Sequence, residues 1–351
     1  MARCSGVARY PNFDFLRLGA ALSVLFSHAF LIAEGDQKHE PLVMLSSNQG
    51  ILGLLGVFVF FTMSGFLVTQ SFESARAPLR FLAARLLRIY PALIVCLAIC
   101  VLIGAAVTTL PVAEYLRHPD TWRFLRANLL MQGFDESLPG VVFVDNSVGT
   151  VVGGAFWSLR FEVYFYLMVL ALGTLRLLDL RSAVVLLIVG LAASYFDWLG
   201  GFGWLLPYFT VGMVMYYVTC SRQPSGALAI AAGLGIVATV FLGQMLFAFA
   251  LLGGYLAIYL ATSQGIVLPR AGRFGDFSYG LYIYGWPVEV CVAHAFGGTA
   301  TWWQVFLIGT AVALILAVLS WHLVERPALR LKAARSFGSL ATARRPSPAA
   351  P

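Results

Sequence analysis

Charge is scarce in this chain. Of 351 residues only 11% are Asp, Glu, Lys or Arg, while 60% are hydrophobic, and the mean hydropathy is +0.84. Soluble domains carry about a quarter charged residues, so this scarcity excludes a soluble globular protein. Cysteine is sparse too. Cys4, Cys96, Cys100, Cys220 and Cys291 form no CxxC or Cys/His ligand spacing, which excludes zinc-finger and thioredoxin-like motifs and reads as five reduced apolar fillers. No cluster of His, Cys, Asp or Glu has metal-ligand spacing, so no metal is expected. There is no internal repeat, direct or inverted. No convincing cleavage site follows MARCSGVARY, and the apolar run behind it is longer than a signal-peptide core, so it reads as an uncleaved first span.

What is present is a succession of apolar runs, near residues 15–34, 50–70, 91–110, 156–175, 182–198, 201–219, 226–243, 245–263, 276–296 and 302–323. Each is about as long as a helix that crosses a bilayer. The expectation is an all-α, polytopic integral membrane bundle of about ten transmembrane helices over residues 1–332. Residues 333–351, rich in Ala, Ser, Arg and Pro, read as a disordered cytoplasmic tail. Threaded alternately, the spans send most of the Arg and Lys to one side and only Lys38, Arg117, Arg123 and Arg126 to the other. That asymmetry predicts both termini in the cytoplasm. The net charge of +7 is therefore a topology signal, and no nucleic-acid partner is expected. Residues 71–90, with Arg80, Arg85 and Arg88 among Phe and Leu, predict an amphipathic helix on the inner surface, in contact with membrane lipid. The long outer loop 111–155 contains PDTWRFLRANLLMQ, which predicts a short interfacial or re-entrant helix.

Ionisable residues inside the apolar runs stand out, because lipid penalises them and they usually face protein or water for a reason. In the first run Arg17 and His28 are eleven residues apart, hence within about 20° of one helical face and roughly 16 Å apart along the axis. Glu162 opens the fourth run behind Trp157 and Ser158. Depth counting puts His28 and Glu162 at one level in the outer half of the membrane. In the ninth run Ser278, Tyr282, Gly285 and Glu289 form one stripe, which should face into the bundle. Ser64 and Gly65, in the second run, permit close approach of a helix or a ligand. Arg80, Arg85 and Arg88 suit either anionic lipid or the oxygens of a phosphorylated ligand. On residues alone an enzyme competes with a transporter or lipid-linked-sugar flippase, in which Arg17, His28 and Glu162 would be a polar relay. It also competes with a sensor whose polar stripe only packs.

In order along the chain come R-x10-H at Arg17 and His28, SGFL at Ser64–Leu67, RLLRIYP at Arg85–Pro91 and LPGVVF from Leu138. WSLRFE follows at Trp157–Glu162, then SYGLYIYGWPV from Ser278 and SWHLVERPALRL from Ser320. In that order these motifs resemble the acyltransferase-3 family of integral membrane O-acyltransferases, the group that includes bacterial O-antigen, exopolysaccharide and Nod-factor acetylases. The resemblance runs from about Phe13 to Arg330. It departs at Gly285, Trp286 and Pro287, where relatives fused to an esterase-like domain read HWP; this chain resembles a stand-alone member.

The resemblance implies transfer of an acyl group, acetyl first, from cytoplasmic acyl-CoA to a hydroxyl on a carbohydrate acceptor at the bacterial cytoplasmic (inner) membrane. The residues then take roles. His28 is the expected general base, with a covalent acyl-histidine as the alternative. Glu162 orients the imidazole or binds acceptor hydroxyls, and Arg17 holds the donor or stabilises the oxyanion. Arg80, Arg85, Arg88, Ser64 and Gly65 form the donor site, and Trp157, Ser158, Tyr282 and Glu289 the acceptor site.

Overall fold

The computed structural model describes residues 10, 12–75, 77–132 and 136–330. The expected tail at 333–351 lies outside the described residues, as does Cys4. Those described are almost wholly helical, with a single isolated bridge between Ser137 and Val151. The principal helices are α1 (Phe13–Glu34), α2 (Pro41–Leu45), α3 (Leu52–Ala75), α4 (Pro78–Val107), α5 (Val112–Arg117), α6 (Pro119–Leu130) and α7 (Leu159–Thr174). They continue as α8 (Leu180–Tyr195), α9 (Gly200–Ser221), α10 (Gly226–Phe241), α11 (Met245–Thr262), α12 (Ser278–Ala295) and α13 (Trp302–Ser320).

Each of the ten apolar runs coincides with a helix. Among the described residues six helical segments are long and apolar enough to cross a membrane, namely α1, α3, α4, α11 and the α7 and α13 segments, whereas α8 and α10 are shorter apolar helices. The chain is a multi-pass helical membrane protein.

Helix α3 forms the centre of the bundle. It packs on α1, α4, α7, α9 and α11, and 67% of its apolar window is buried, against 22% for the peripheral α13 segment. Apolar side chains cannot drive such packing in lipid, where the surroundings are equally apolar, so close backbone contact must do it. The glycines supply that contact. A Cβ on Gly53 would lie 3.0 Å from the Ser27 side chain and one on Gly56 2.6 Å from the Ala20 carbonyl, both across the antiparallel α1–α3 interface. At the α3–α9 crossing the arrangement is reciprocal: a Cβ on Gly65 would lie 1.9 Å from the Phe209 carbonyl, and one on Gly212 2.0 Å from that of Thr62. Gly65→Ala should therefore overpack this crossing by about 1–3 kcal/mol, measurable as a lowered thermal midpoint in detergent.

Two local features differ from the sequence reading. The basic segment 71–90 is not a separate surface helix; most of it continues into the next run as α4, through Pro91. Proline withholds only its own N–H from the ladder, a loss that packing neighbours make good in membrane helices. Arg85 and Arg88 thus turn into the bundle. After α13 the chain passes through one π turn, Trp321–Glu325, which buries Glu325 to 1% exposure. The short helix expected at PDTWRFLRANLLMQ is present as α6. Cys96, Cys100 and Cys291 are free thiols, whereas Cys220 is disulfide-bonded, unlike the five reduced cysteines expected.

Candidate active site

One end of the bundle collects the start of α1, the end of α3 and the starts of α4 and α12, and here the buried charges compensate one another. Arg88 donates from Nη2 to Asp276 Oδ2 at 2.6 Å and from Nη1 to Glu325 Oε2 at 3.0 Å. Arg17 Nη1 adds a longer bond of 3.3 Å to the same Asp276 oxygen. Ser278 donates to Asp276 Oδ1, and Ser320 to Glu325 Oε1. Two guanidinium groups thus meet two carboxylates with no net charge. Burial pushes the Asp276 carboxyl up, but Arg88 and then Arg17 outweigh it and hold the pKa down at about 2. Asp276 lies just ahead of α12, and the π turn delivers Glu325.

Beside this network a cavity of about 1150 Å³ enters the bundle. Exposed Leu79 and Arg80 stand at its mouth, and Arg17, Ser64, Arg85, Arg88, Ser158, Glu162, Tyr166 and Tyr282 line it. Along α3 the lining runs from Ala75 to Val57, eighteen residues or roughly 27 Å of depth. The Arg85 guanidinium carbon lies 5.8 Å from the centre of the Tyr166 ring, and Arg85 Nε is buried without a hydrogen-bond partner among the described residues. Arg85 thus differs from its motif neighbour Arg88, whose charge is already answered. Deeper in, Ser158 and Tyr282 share a hydrogen bond of 2.7 Å, and the Tyr282 hydroxyl also donates to the Ala155 carbonyl.

Beyond the inner end of the cavity stands a second group. His28 Nδ1 lies 3.8 Å from Glu289 Oε2. That exceeds a hydrogen bond, and neither His28 Nδ1 nor either Glu289 oxygen has a hydrogen-bond partner among the described residues. Such apo distances commonly tighten when substrate or a proton arrives. The Trp286 ring packs edge-on against the imidazole at 4.8 Å and is itself fixed by donation to the Val151 carbonyl. Gly309 of α13 leaves room for the Glu289 side chain, since a Cβ there would come within 2.7 Å of Glu289 Cγ. On the other side, Glu40 ties α1 to α3: its buried carboxylate accepts from Ser27 and from the Leu42, Val43 and Leu52 N–H groups.

Helix register relates the two groups. Gly53 N–H donates to Ser27 Oγ, so His28 is nearly level with Gly53, and Val57, the innermost lining residue of α3, lies about one turn or 6 Å short of that level. On α12, Glu289 is seven residues beyond Tyr282, roughly 10 Å along the axis.

Of the residues singled out in the sequence, Arg17, Ser64, Arg80, Arg85, Arg88, Ser158, Glu162 and Tyr282 thus share one cavity. His28 and Glu289 pair beyond its end. Glu289, not Glu162, stands beside the imidazole, because α12 packs on α1 whereas α7 packs on α3 and α4. Arg17 is held at the opposite level by Asp276, too far from His28 to reach an oxyanion there. Gly65 faces α9 rather than the cavity, and Trp157 packs against Phe161 and Trp204. Sequence reasoning passed over Tyr166, Asp276 and Glu325. The last two were signalled only by lying beside SYGLYIYGWPV and within SWHLVERP.

Comparison with known proteins agrees with this architecture. The model of the acyltransferase-3 family, described as an acyltransferase domain, matches residues 10–322. An "O-acetyl transferase" of Shigella phage Sf6 is 26% identical over 331 residues, covering 90% of this chain and 94% of the relative. "Nodulation protein 10" of Rhizobium leguminosarum bv. viciae is 27% identical over 357 residues, covering 92% and 94%. No solved structure is a significant match. With its helical membrane bundle and a family match over nearly its whole length, the chain belongs to the acyltransferase-3 family.

Proposed function

We propose that this protein is a membrane O-acyltransferase of the bacterial inner membrane that moves an acyl group, acetyl first, from cytoplasmic acyl-CoA to a hydroxyl of a sugar in a surface or exported glycan. The observation that carries the reading is a cavity of about 1150 Å³ that starts among cations and ends about one helical turn short of His28 and Glu289. A long, thin donor with an anionic head and a reactive tip suits that shape. Family membership and the phage relative named as an O-acetyl transferase support the reaction class. The Arg-rich side of the bundle is taken as cytoplasmic because Lys and Arg collect there.

In this reading the donor's phosphates meet Arg85 and Arg80, and its arm follows the wall of α3 past Ser64. His28 Nε2 takes the proton of the acceptor hydroxyl as that oxygen attacks the thioester carbon. Glu289 faces Nδ1 and compensates the imidazolium that forms. The C–S bond then breaks, and the proton passes from His28 to the leaving thiolate. Arg17, together with Asp276, acts as a positioning residue at the donor end.

The test is transfer of radiolabelled acetyl from acetyl-CoA to the host's extracted glycans in membranes carrying the chain. Label in base-labile ester linkage on glycan is the expected result. Absence of transfer from acetyl-CoA, succinyl-CoA and longer acyl-CoA donors overturns the proposal.

A further inference from the structure

The wall of the donor cavity contains a charge that a phosphate-bearing ligand should not favour. Glu162 is the single carboxylate among its described lining residues. One Glu162 oxygen accepts a hydrogen bond from the Tyr166 hydroxyl, and the Arg85 guanidinium lies over the same Tyr166 ring. Among the described residues the Glu162 carboxylate is in no ion pair. Its position is regular: Ser158, Glu162 and Tyr166 follow at intervals of four on α7, each about 6 Å further along one helical face. Tyr166 marks the level of the Arg85 cation, and Ser158, bonded to Tyr282, marks the deep end. Glu162 is midway.

A half-buried carboxylate on a ligand path is useful where the ligand offers N–H or O–H donors, since charge-assisted hydrogen bonds are the strong ones. This step rests on the proposed acyl-CoA donor. Between its phosphates and its thioester lies a pantetheine arm with two secondary amides, one of them separated from the sulfur by only two methylene groups. We infer that Glu162, held by Tyr166, is the subsite that accepts an amide N–H of this arm, so that the cavity selects thioesters carried on pantetheine. Arg85 reads the phosphates, Glu162 reads the arm, and the tip is left to extend past Tyr282 towards His28. Glu162 is then neither the partner of the imidazole nor an acceptor ligand.

The experiment separates head from arm. The full chain in nanodiscs is titrated with coenzyme A, with pantetheine and with adenosine 3′,5′-bisphosphate, each in competition with labelled coenzyme A, for wild type, Glu162→Ala, Glu162→Gln and Arg85→Ala. Glu162→Ala should weaken coenzyme A and pantetheine by roughly tenfold to a hundredfold and leave the bisphosphate unchanged. Glu162→Gln, whose carbonyl still accepts, should recover most of the loss. Arg85→Ala should show the reverse pattern, losing the bisphosphate and sparing pantetheine. Unchanged coenzyme A affinity in Glu162→Ala, or equal losses for all three ligands, overturns the subsite while leaving the donor assignment intact. If wild type binds no coenzyme A at all, the donor assignment fails and the subsite with it.

Discussion

Replacing His28 by alanine should lower acyl transfer by about a hundredfold to ten-thousandfold, the range that a positioned general base contributes. The loss should fall on kcat. His28 is not among the residues that line the donor cavity, so the donor KM should hardly move. Glu289→Gln gives the complementary result. It keeps the side-chain volume that Gly309 accommodates but removes the carboxylate that faces His28 Nδ1. It should lower kcat less than His28→Ala does, again with the donor KM unchanged. Combining the two substitutions should cost little more than His28→Ala alone, because residues that act as a unit are non-additive. Transfer retained in His28→Ala would remove the base from the mechanism.

Arg88→Ala should be the most destabilising single change at the donor end. It strips Asp276 of its shorter bond to an arginine and Glu325 of the one ion pair it makes among the described residues. Leaving a buried carboxylate uncompensated costs about 3–5 kcal/mol. A lowered thermal midpoint in detergent measures this. Arg85→Ala, three residues away in the same motif, should behave oppositely. Its guanidinium is in no ion pair among the described residues and its Nε is unpartnered, so stability should hold or rise while donor affinity falls. If both variants lose the same stability, the division of labour between the two arginines is wrong. Acid offers an independent check on the network. The Asp276 carboxyl is held at about 2, below its ordinary 3.8. Its contribution is fully present above pH 3.8 and is lost as pH falls towards 2. This group should therefore add no pH dependence to stability near neutral pH.

The two arginines also show where reading a sequence stops. R-x-x-R marks Arg85 and Arg88 as a pair with one chemistry, and a helical wheel separates them by only about 60°. What divides them is the company each keeps. Arg88 meets carboxylates from the start of α12 and from the π turn after α13, 188 and 237 residues away in the chain. Nothing local announces that meeting. The depth count put His28 and Glu162 at one level, whereas Glu162 lines the cavity and His28 stands beyond its inner end: counting along single helices does not say how those helices are set against one another. Glu289 reaches His28 because α12 lies against α1, while Glu162, on α7, looks into the cavity from another side.

Much else was written in local order. Scarce charge and recurrent apolar runs specify a helical membrane protein, because only helices or closed barrels satisfy their backbone in lipid. The positions of the helices follow from runs of hydropathy, and the polar stripe of α12 from periodicity. Family membership follows from motifs in sequence order. These are properties of contiguous residues, and hydropathy and helical period act over contiguous residues. Tertiary structure alone decided which cation is neutralised, which carboxylate faces the imidazole and which glycine closes a helix crossing. Each of these is a contact between helices, and in lipid such contacts are selected by close packing and by the cost of an unanswered buried charge, neither of which a single segment can express.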